Sequence, residues 1–237
     1  MRWTKKLGKT ARSSLANAIK EHRELQIAHF SFGYSAARRL ASISPEINLT
    51  GIIERRISEA KRPIRFLDSG AGLGGISADL KKRFGSKLEV TTLSLRHPNT
   101  SRKSQAQAIA EIKKSHHKDY YPYQKDEFDR LGIRNRLTKE QKQILSEARK
   151  DSRIIDNIRV GIIENFVPKE KYDIIFDYTG PVQYSTYRKR VAMQYSKLLP
   201  KGGLLVVTSS ESKEYLIKSG KFRIREKIGA CTVFEKL

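Results

Sequence analysis

The run of glycines at residues 70–75 constrains the fold of this 237-residue chain more than any other feature of its sequence. The chain reads DSGAGLGG from Asp68 to Gly75, directly after the apolar, strand-like segment 64–68. Glycines at a strand-to-helix turn let the backbone approach a ligand where a Cβ atom would clash. The helix that follows offers unpaired N–H groups. This context predicts a ligand-binding turn rather than a loop of purely structural glycines.

The segments around the glycine run complete one βαβ unit. Ile76, Leu80 and Phe84 are spaced four residues apart and so share one face of a helix. We therefore predict a helix over residues 76–84. The β-branched residues within 88–95 predict a second strand. Strand, turn, helix and strand follow one another within about 30 residues, the size of a βαβ unit.

Regular alternation of strands and helices returns in the second half of the chain. Apolar and β-branched runs predict five further strands, at residues 158–163, 172–177, 204–208, 222–226 and 230–235. Helices are predicted at residues 185–198 and 213–217. The last two strands are joined so closely that they should pair antiparallel. The predicted fold is α/β: a seven-stranded, mostly parallel sheet with an antiparallel last strand and helices on both faces.

Two further segments of the chain are predicted to lie outside this sheet. Residues 1–62 are rich in helix-forming residues and predict an N-terminal helical extension, with helices at residues 10–28, 34–43 and 49–60. Residues 96–157 are longer than a crossover needs and predict a basic insertion, with helices at 101–115 and 138–150. The chain is therefore expected to divide into a cap, residues 1–62, and an α/β domain, residues 63–237.

The net charge of the chain is +23, from 48 Lys and Arg against 25 Asp and Glu. The excess lies outside the glycine turn, because residues 66–95 carry only 4 basic and 3 acidic side chains. A field of this sign favours polyanions, and we expect a nucleic acid as partner, with RNA favoured. A solvated basic surface and contact with an anionic membrane surface are the alternatives.

Two later segments extend the pattern that begins at the glycine turn. Residues 171–177 read KYDIIFD, and residues 198–207 read LLPKGGLLVV. In order and spacing, the three blocks resemble motif I, the fourth-strand segment and the turn into the fifth strand of class I S-adenosylmethionine-dependent methyltransferases. The resemblance covers residues 64–237. It implies a Rossmann-like fold, S-adenosyl-L-methionine as cofactor and methyl transfer as the activity.

The resemblance also assigns cofactor-binding residues. The methionine end of the cofactor would lie against Asp68, Ser69, Gly70, Gly72 and Gly74. Two acids that are usual in the family are missing. At the end of the second strand, Ser94 stands where an acid holds the ribose hydroxyls, and its hydroxyl lacks charge-assisted strength. After the third strand, Glu164 is the nearest substitute.

These departures leave two other functions open. Ser94 and Arg96 fit a site for the 2′-phosphate of NADP, and the spacing from Gly70 to Gly75 also fits a dinucleotide fingerprint. Against an NADP-dependent oxidoreductase, Asp68 would repel a pyrophosphate, whereas a sulfonium and an ammonium favour an acid nearby. The other alternative is a catalytically inactive methyltransferase-like protein that binds RNA without the cofactor.

Asp177 and Tyr178, at the end of the fourth strand, are the candidate catalytic residues, because ligands lie at the carboxyl ends of parallel strands. Asp177 is suited to contact the cofactor, orient a nucleophile or accept its proton, or else to cap a turn. Tyr178 is suited to stack on a base. The segment matches neither the Asn/Asp-Pro-Pro-aromatic motif of amino-methylating enzymes nor the Lys-Asp-Lys-Glu set of ribose methyltransferases. The acceptor stays open among RNA, a small molecule and a protein side chain.

The cysteine and histidine residues of the chain do not predict a metal centre. Cys231 is the single cysteine, which excludes an internal disulfide and a paired-cysteine zinc site. His116 and His117 lack a further ligand at metal-binding spacing, and the surrounding tyrosines and lysines suit single-stranded RNA or a solvated loop. No apolar run approaches the roughly 20 residues of a membrane span. We expect a cytoplasmic protein or, in view of the basic, acid-free residues 1–20, a mitochondrial one.

Overall fold

The computed structural model describes residues 39–43, 47–94, 139–178, 180–184, 188–208 and 210–237. The strands are β1 (Ile64–Ser69), β2 (Leu88–Ser94), β3 (Asn157–Val160), β4 (Ile174–Asp177), β5 (Leu204–Val207), β6 (Phe222–Ile228) and β7 (Cys231–Lys236). The α-helices are α1 (Leu40–Ile43), α2 (Leu49–Glu59), α3 (Gly75–Phe84), α4 (Lys139–Asp151), α5 (Pro181–Tyr184), α6 (Arg188–Leu198) and α7 (Ser210–Lys218). In these ranges no helix has the length and apolar character that a membrane crossing needs. The helices predicted at residues 10–28 and 101–115 lie outside the described residues.

The strands form one sheet in the order β3-β2-β1-β4-β5-β7-β6. β1 to β5 run parallel, and β7 pairs antiparallel with both β5 and β6. The predicted fold class is confirmed. The strand order reverses at β1, which has β2 on one side and β4 on the other, with Asp68 opposite Phe176. In open α/β sheets, ligands bind at such a boundary.

Alternating side chains of the strands build one apolar core on each face of the sheet. On one face, α1, α2 and α3 cover Phe66 and other buried residues. On the opposite face, α5, α6 and α7 cover a second set that includes Ile175. Two residues further along their strands, Asp68 therefore faces α3 and Asp177 faces α6. The face of the sheet on which each carboxyl group lies therefore determines which helix it contacts.

Two predicted elements have different bounds in the structure. The strand predicted at 158–163 ends at Val160, and a 3₁₀ turn, Ile163–Asn165, follows it. The described part of the helix predicted at 185–198 is α6, which begins at Arg188, and a short helix that was not predicted, α5, begins at Pro181. A proline suits the first turn of α5, where its missing N–H would have no intrahelical partner.

An ion-pair network joins three segments of the chain on the α3 side of the sheet. The Arg39 guanidinium contacts the carboxylates of Asp79 on α3 and Asp151 at the end of α4. Lys82 Nζ lies 2.8 Å from Asp151 Oδ1. Burial alone would raise the pKa of Asp151, but the bonds from Lys82 and Arg39 outweigh burial and lower it. The network therefore anchors α4 to α3.

Asp151→Asn should lower the free energy of unfolding by about 1–3 kcal/mol at neutral pH, because it removes the charge that Arg39 and Lys82 share. Since the folded-state pKa of Asp151 is depressed, its contribution is present above the unfolded pKa of about 4 and is lost as the pH falls. Urea unfolding at neutral and acid pH should therefore show a difference from wild type that shrinks on acidification. Glu214→Gln, in the exposed pair with Lys218, is the control and should leave stability unchanged. Equal losses in the two variants would contradict the anchoring role.

Candidate functional site

The glycine turn between β1 and α3 uses backbone conformations that other residues rarely adopt. Gly70, Gly72 and Gly74 have φ angles of 89°, 55° and 77°, in the left-handed region where a Cβ atom is penalised. The N–H groups of Gly70 and Ala71 donate to the carbonyl oxygen of Leu93, at 2.8 and 3.3 Å. These bonds tie the turn to the end of β2.

The turn after β4 meets the glycine turn at backbone distance. A Cβ atom on Gly70 would lie 2.6 Å from the Cα atom of Gly180. A Cβ atom on Gly180 would lie 2.3 Å from the carbonyl oxygen of Ser69. Two backbone turns therefore close against each other at the carboxyl ends of neighbouring strands, and neither position accommodates a side chain.

Asp68 lies at the end of β1, beneath the glycine turn. It is 4% exposed, and the Ser77 hydroxyl on α3 donates to its carboxyl group at 2.6 Å. Burial raises the pKa of Asp68 to about 7, the Ser77 bond opposes the rise, and the nearby charge of Asp177 adds to it. The Asp68 carboxyl group therefore ionises less readily than an exposed aspartate does.

Asp177 ends β4 on the α6 side, and its carboxylate is bonded within the chain. Oδ1 accepts from Gly180 N at 2.7 Å, and Oδ2 accepts from Val182 N at 2.9 Å and from the Tyr195 hydroxyl at 2.6 Å. Burial raises the pKa of Asp177 to about 6, although these three donors oppose the rise. The arrangement is that of a turn cap, one of the roles that the sequence left open. A part in cofactor contact or proton transfer stays a prediction.

Tyr195 is a site residue that the sequence patterns did not single out. Its side chain is completely buried, and its hydroxyl lies 2.9 Å from Ser69 Oγ as well as 2.6 Å from Asp177 Oδ2. Burial and the charge of Asp177 raise its pKa well above the usual range. A signal was present, because Val191, Tyr195 and Leu198 share the apolar face of the predicted helix. A buried tyrosine normally has a hydrogen-bond partner.

The remaining predicted site residues lie along the same carboxyl edge of the sheet. Ser94 ends β2 and is buried, and its carbonyl oxygen accepts from Gly161 N at 3.0 Å. Glu164 is half-buried in the 3₁₀ turn after β3. Tyr178 is half-buried and stacks on Phe176, with ring centroids 5.8 Å apart. The structure therefore brings the residues predicted from four strand ends to one edge.

A metal centre and an NADP site are the two other kinds of site that the sequence raised. Across the described part of the chain, no three His, Cys, Asp or Glu side chains gather where they could hold a metal ion. Arg96, on which the NADP interpretation depends, lies outside the described residues, as do His116 and His117.

No family model matches the sequence, and no curated protein matches it either. Among solved structures, TrmN from Thermus thermophilus is 16% identical, with a TM-score of 0.46 over 80% of this chain and 48% of its own. SAM-bound CalS10, an amino pentose methyltransferase from Micromonospora echinaspora, is 16% identical, with a TM-score of 0.39 over 67% of this chain and 48% of its own. A putative sarcosine dimethylglycine methyltransferase from Galdieria sulphuraria is 13% identical, with a TM-score of 0.42 over 79% of this chain and 62% of its own.

These likenesses concern the fold. The chain spans about half the length of the first two structures, 48% of each. Two of the three are named as methyltransferases. The fold assignment itself rests on this chain's own strand order, and the choice of ligand rests on the residues at the boundary between β1 and β4.

Gly180→Ala should destabilise the protein by about 1–3 kcal/mol, because the two turns would have to move apart to admit the new methyl group. Gly161→Ala is the matched control. It follows β3 at the same edge of the sheet, and its Cβ atom would meet nothing within 4 Å. Thermal unfolding should show a clear fall in Tm for Gly180→Ala alone. Equal Tm values for the two variants would show that the fold does not depend on this contact.

Proposed function

We propose that this chain is an S-adenosylmethionine-dependent methyltransferase that binds its cofactor at the carboxyl ends of β1 and β4. The observation that carries the proposal is the glycine turn, which lies where the strand order reverses and has a buried carboxyl group beneath it. Gly70 and Gly180 let this turn close against the turn after β4, and Gly72 and Gly74 give it left-handed backbone conformations. Such a turn suits a ligand that lies against the backbone.

The buried charge at the site supports a cationic ligand. Asp68 and Asp177, with pKa values of about 7 and about 6, form no ion pair with any lysine or arginine in the described ranges. A sulfonium and an ammonium group would supply the missing positive charge. The pyrophosphate of NADP would instead add negative charge beside two carboxyl groups. Charge balance therefore favours S-adenosylmethionine over NADP.

In the proposed site, residues at the ends of four strands would contact different parts of the cofactor. The residues that would hold the methionine end are Asp68, Ser69, Gly70, Gly72 and Gly74. Ser94, at the end of β2, would bond the ribose hydroxyls, and Glu164 would take the place of the acid after β3. Asp177, at the end of β4, would lie beside the cofactor. All of these residues lie at one edge of the sheet.

The chain's contribution to the reaction would be chiefly orientation. When bound, S-adenosylmethionine supplies an electrophilic methyl group that an acceptor attacks in line. Asp177 is the candidate base for the proton that leaves the acceptor, since its pKa of about 6 keeps it mostly ionised at neutral pH. Tyr178 is the candidate aromatic side chain on which an acceptor base would stack.

Titration calorimetry with S-adenosylmethionine and S-adenosylhomocysteine tests the cofactor, and we expect binding at roughly micromolar concentrations. A cationic ligand favours the ionised carboxyl groups, so binding should release protons, and affinity should rise as the pH rises through about 6 to 7. Asp68→Asn should weaken binding about tenfold and flatten this pH dependence. Glu54→Gln, which removes an exposed carboxylate on α2, should do neither.

NADPH is the competing ligand in the same titration. Binding of NADPH without either sulfur compound would replace the proposal with an oxidoreductase. Binding of none of the three would favour the catalytically inactive relative. Loss of affinity in Glu54→Gln as large as in Asp68→Asn would show that overall charge, rather than the buried carboxyl group, governs binding.

We infer further that RNA is the acceptor, on the evidence of charge. The net charge is +23, and basic side chains lie beside the proposed site. The basic rim consists of Arg188, Lys189 and Arg190 on α6 and Lys213 on α7. The Arg188 guanidinium lies 5.7 Å from the ring centre of Tyr215, which is 41% exposed. Cations beside an exposed aromatic ring suit single-stranded nucleic acid.

The basic rim stands at the same edge of the sheet as the glycine turn. Tyr195, seven residues after Arg188 on α6, still reaches Asp177 at the end of β4. A helix rises about 1.5 Å per residue, so the first turn of α6 projects about 10 Å beyond Tyr195. The other end of α6 lies at the opposite edge, where the carbonyl oxygen of Leu198 accepts from Tyr172 N. A polyanion on the rim would therefore approach the glycine turn.

The double substitution Lys189→Ala/Arg190→Ala should weaken binding of a labelled single-stranded RNA about tenfold and reduce the dependence of affinity on salt, because phosphate contacts release counterions. Lys87→Ala/Lys201→Ala removes the same charge at the opposite edge, where both lysines are exposed. This control should keep the affinity within about twofold of wild type. Fluorescence anisotropy over a salt series measures both.

Each other outcome points to a different function. Equal losses in the two double variants would mean that the RNA follows overall charge and not the rim. A wild-type protein that binds no RNA would direct the search to a small molecule or a protein side chain as acceptor. RNA binding by a protein that binds neither sulfur compound would identify the inactive relative.

A further inference from the structure

The Tyr195 hydroxyl connects the two turns that meet at the proposed site. It lies 2.9 Å from Ser69 Oγ at the end of β1 and 2.6 Å from Asp177 Oδ2 at the end of β4. A phenol carries one proton, which goes to the carboxylate, so the Ser69 hydroxyl donates to Tyr195. The bonds therefore run from Ser69 through Tyr195 to Asp177, which also accepts from Gly180 N at 2.7 Å.

Packing alone does not require a hydroxyl at this position. The ring of Tyr195 is part of the apolar core between α6 and the sheet, where phenylalanine would fill nearly the same space. A buried hydroxyl loses its hydration and is retained where it is well bonded. Here its partners, Ser69 and Asp177, lie 126 and 18 residues away along the chain. The hydroxyl thus joins segments that the backbone brings together only in the folded state.

We infer that Tyr195 is a positioning residue whose hydroxyl fixes the spacing between the glycine turn and the turn after β4. Ser69 directly precedes Gly70, and Asp177 holds Gly180, so the bonded groups flank the two glycines that touch. The inference rests on the proposed function for the identity of the ligand. Its geometric part concerns the two turns and is tested without a ligand.

Tyr172 provides a matched comparison for Tyr195. It is buried on the same face of the sheet, and its hydroxyl bonds Thr91. Thr91 lies within β2 and pairs with Leu67 in the middle of β1, before the strand ends. Removing the Tyr172 hydroxyl takes one buried hydrogen bond from the α6 face and removing the Tyr195 hydroxyl takes two, but only the bonds of Tyr195 join the two turns.

Hydrogen exchange followed by mass spectrometry on Tyr195→Phe and Tyr172→Phe tests the geometric part. In Tyr195→Phe, the amides of the peptides that contain Gly70 and Gly180 should exchange about tenfold faster than in wild type, because the turns open locally. In Tyr172→Phe, the same peptides should exchange as in wild type. If the two variants exchange alike at both turns, the positioning role is wrong.

Titration with S-adenosylhomocysteine tests the consequence for the ligand. Tyr195→Phe should weaken binding about tenfold, whereas Tyr172→Phe should stay within about twofold of wild type. Tyr195→Phe should also move the pH dependence of binding upward, since Asp177 loses a donor that lowers its pKa. Among the described residues, the other acidic groups that face Asp177 or Tyr195 are Asp68 on β1 and Glu164 after β3, and both are the same residues in the two variants. A purely structural tyrosine would not move the pH profile.

The outcomes separate this inference from the proposed function. If wild type binds no S-adenosylhomocysteine but the exchange difference is present, the cofactor proposal fails and the positioning of the turns stands. If wild type binds and Tyr195→Phe binds equally well with an unchanged pH profile, the inference is overturned. If Tyr195→Phe does not fold, Ser69→Ala is the alternative variant, because it removes the hydrogen bond between Ser69 and Tyr195. Amide hydrogen exchange at Gly70 should then be faster than in wild type. Wild-type exchange in Ser69→Ala would then overturn the inference.

Discussion

The turns that follow β1 and β4 meet backbone against backbone, and the shape of the site depends on this contact. Gly70 and Gly180 permit the contact because neither carries a Cβ atom. Glycine loses more conformational entropy on folding than other residues do, which lowers the stability of the folded state. Hydrogen bonds offset this cost. The carbonyl oxygen of Leu93 holds the first turn, and the carboxylate of Asp177 holds the second through two N–H groups. Main-chain groups therefore set the shape of the site, and side chains set its charge.

That charge comes from two carboxyl groups, those of Asp68 and Asp177, which pair with no lysine or arginine among the described residues. At Asp68, stability alone would favour an apolar residue, since burying a charge without an ionic partner is costly. At Asp177, the cost is offset in part because the carboxylate caps the turn after β4. Ser77 and Tyr195 reduce the cost by donating hydrogen bonds, but they leave the negative charge in place. Local departures from the rules of stable folding tend to occur at functional sites, where a ligand supplies what the chain lacks.

The fold and the glycine turn were predictable because their signals are local. Strand periodicity and the run from Gly70 to Gly75 each occupy about ten residues or fewer. The bonding of Asp177 was not predictable, because the choice between capping a turn and facing a ligand depends on where α5 and α6 lie. The start of α5 at Pro181 provides one donor, and Tyr195 provides another from a separate helix. No local pattern contains such contacts, although the apolar face of α6 indicated that Tyr195 would be buried.

The acidic site and the basic rim differ in depth and in exposure, and they lie at different positions along α6. The first turn of α6 projects about 10 Å beyond Tyr195, which is close to one Debye length at 0.1 M salt. Lys189 and Arg190 lie about 9 and 8 Å beyond Tyr195 along the helix, so salt screens their exposed charges only in part, and it screens the buried carboxyl groups much less. A cation bound above Asp68 and a polyanion bound on the rim would each meet a field of the favourable sign. In the proposed reaction, the acidic site would repel a polyanion and the basic rim would repel a cation, so the two fields would direct each ligand to its own position.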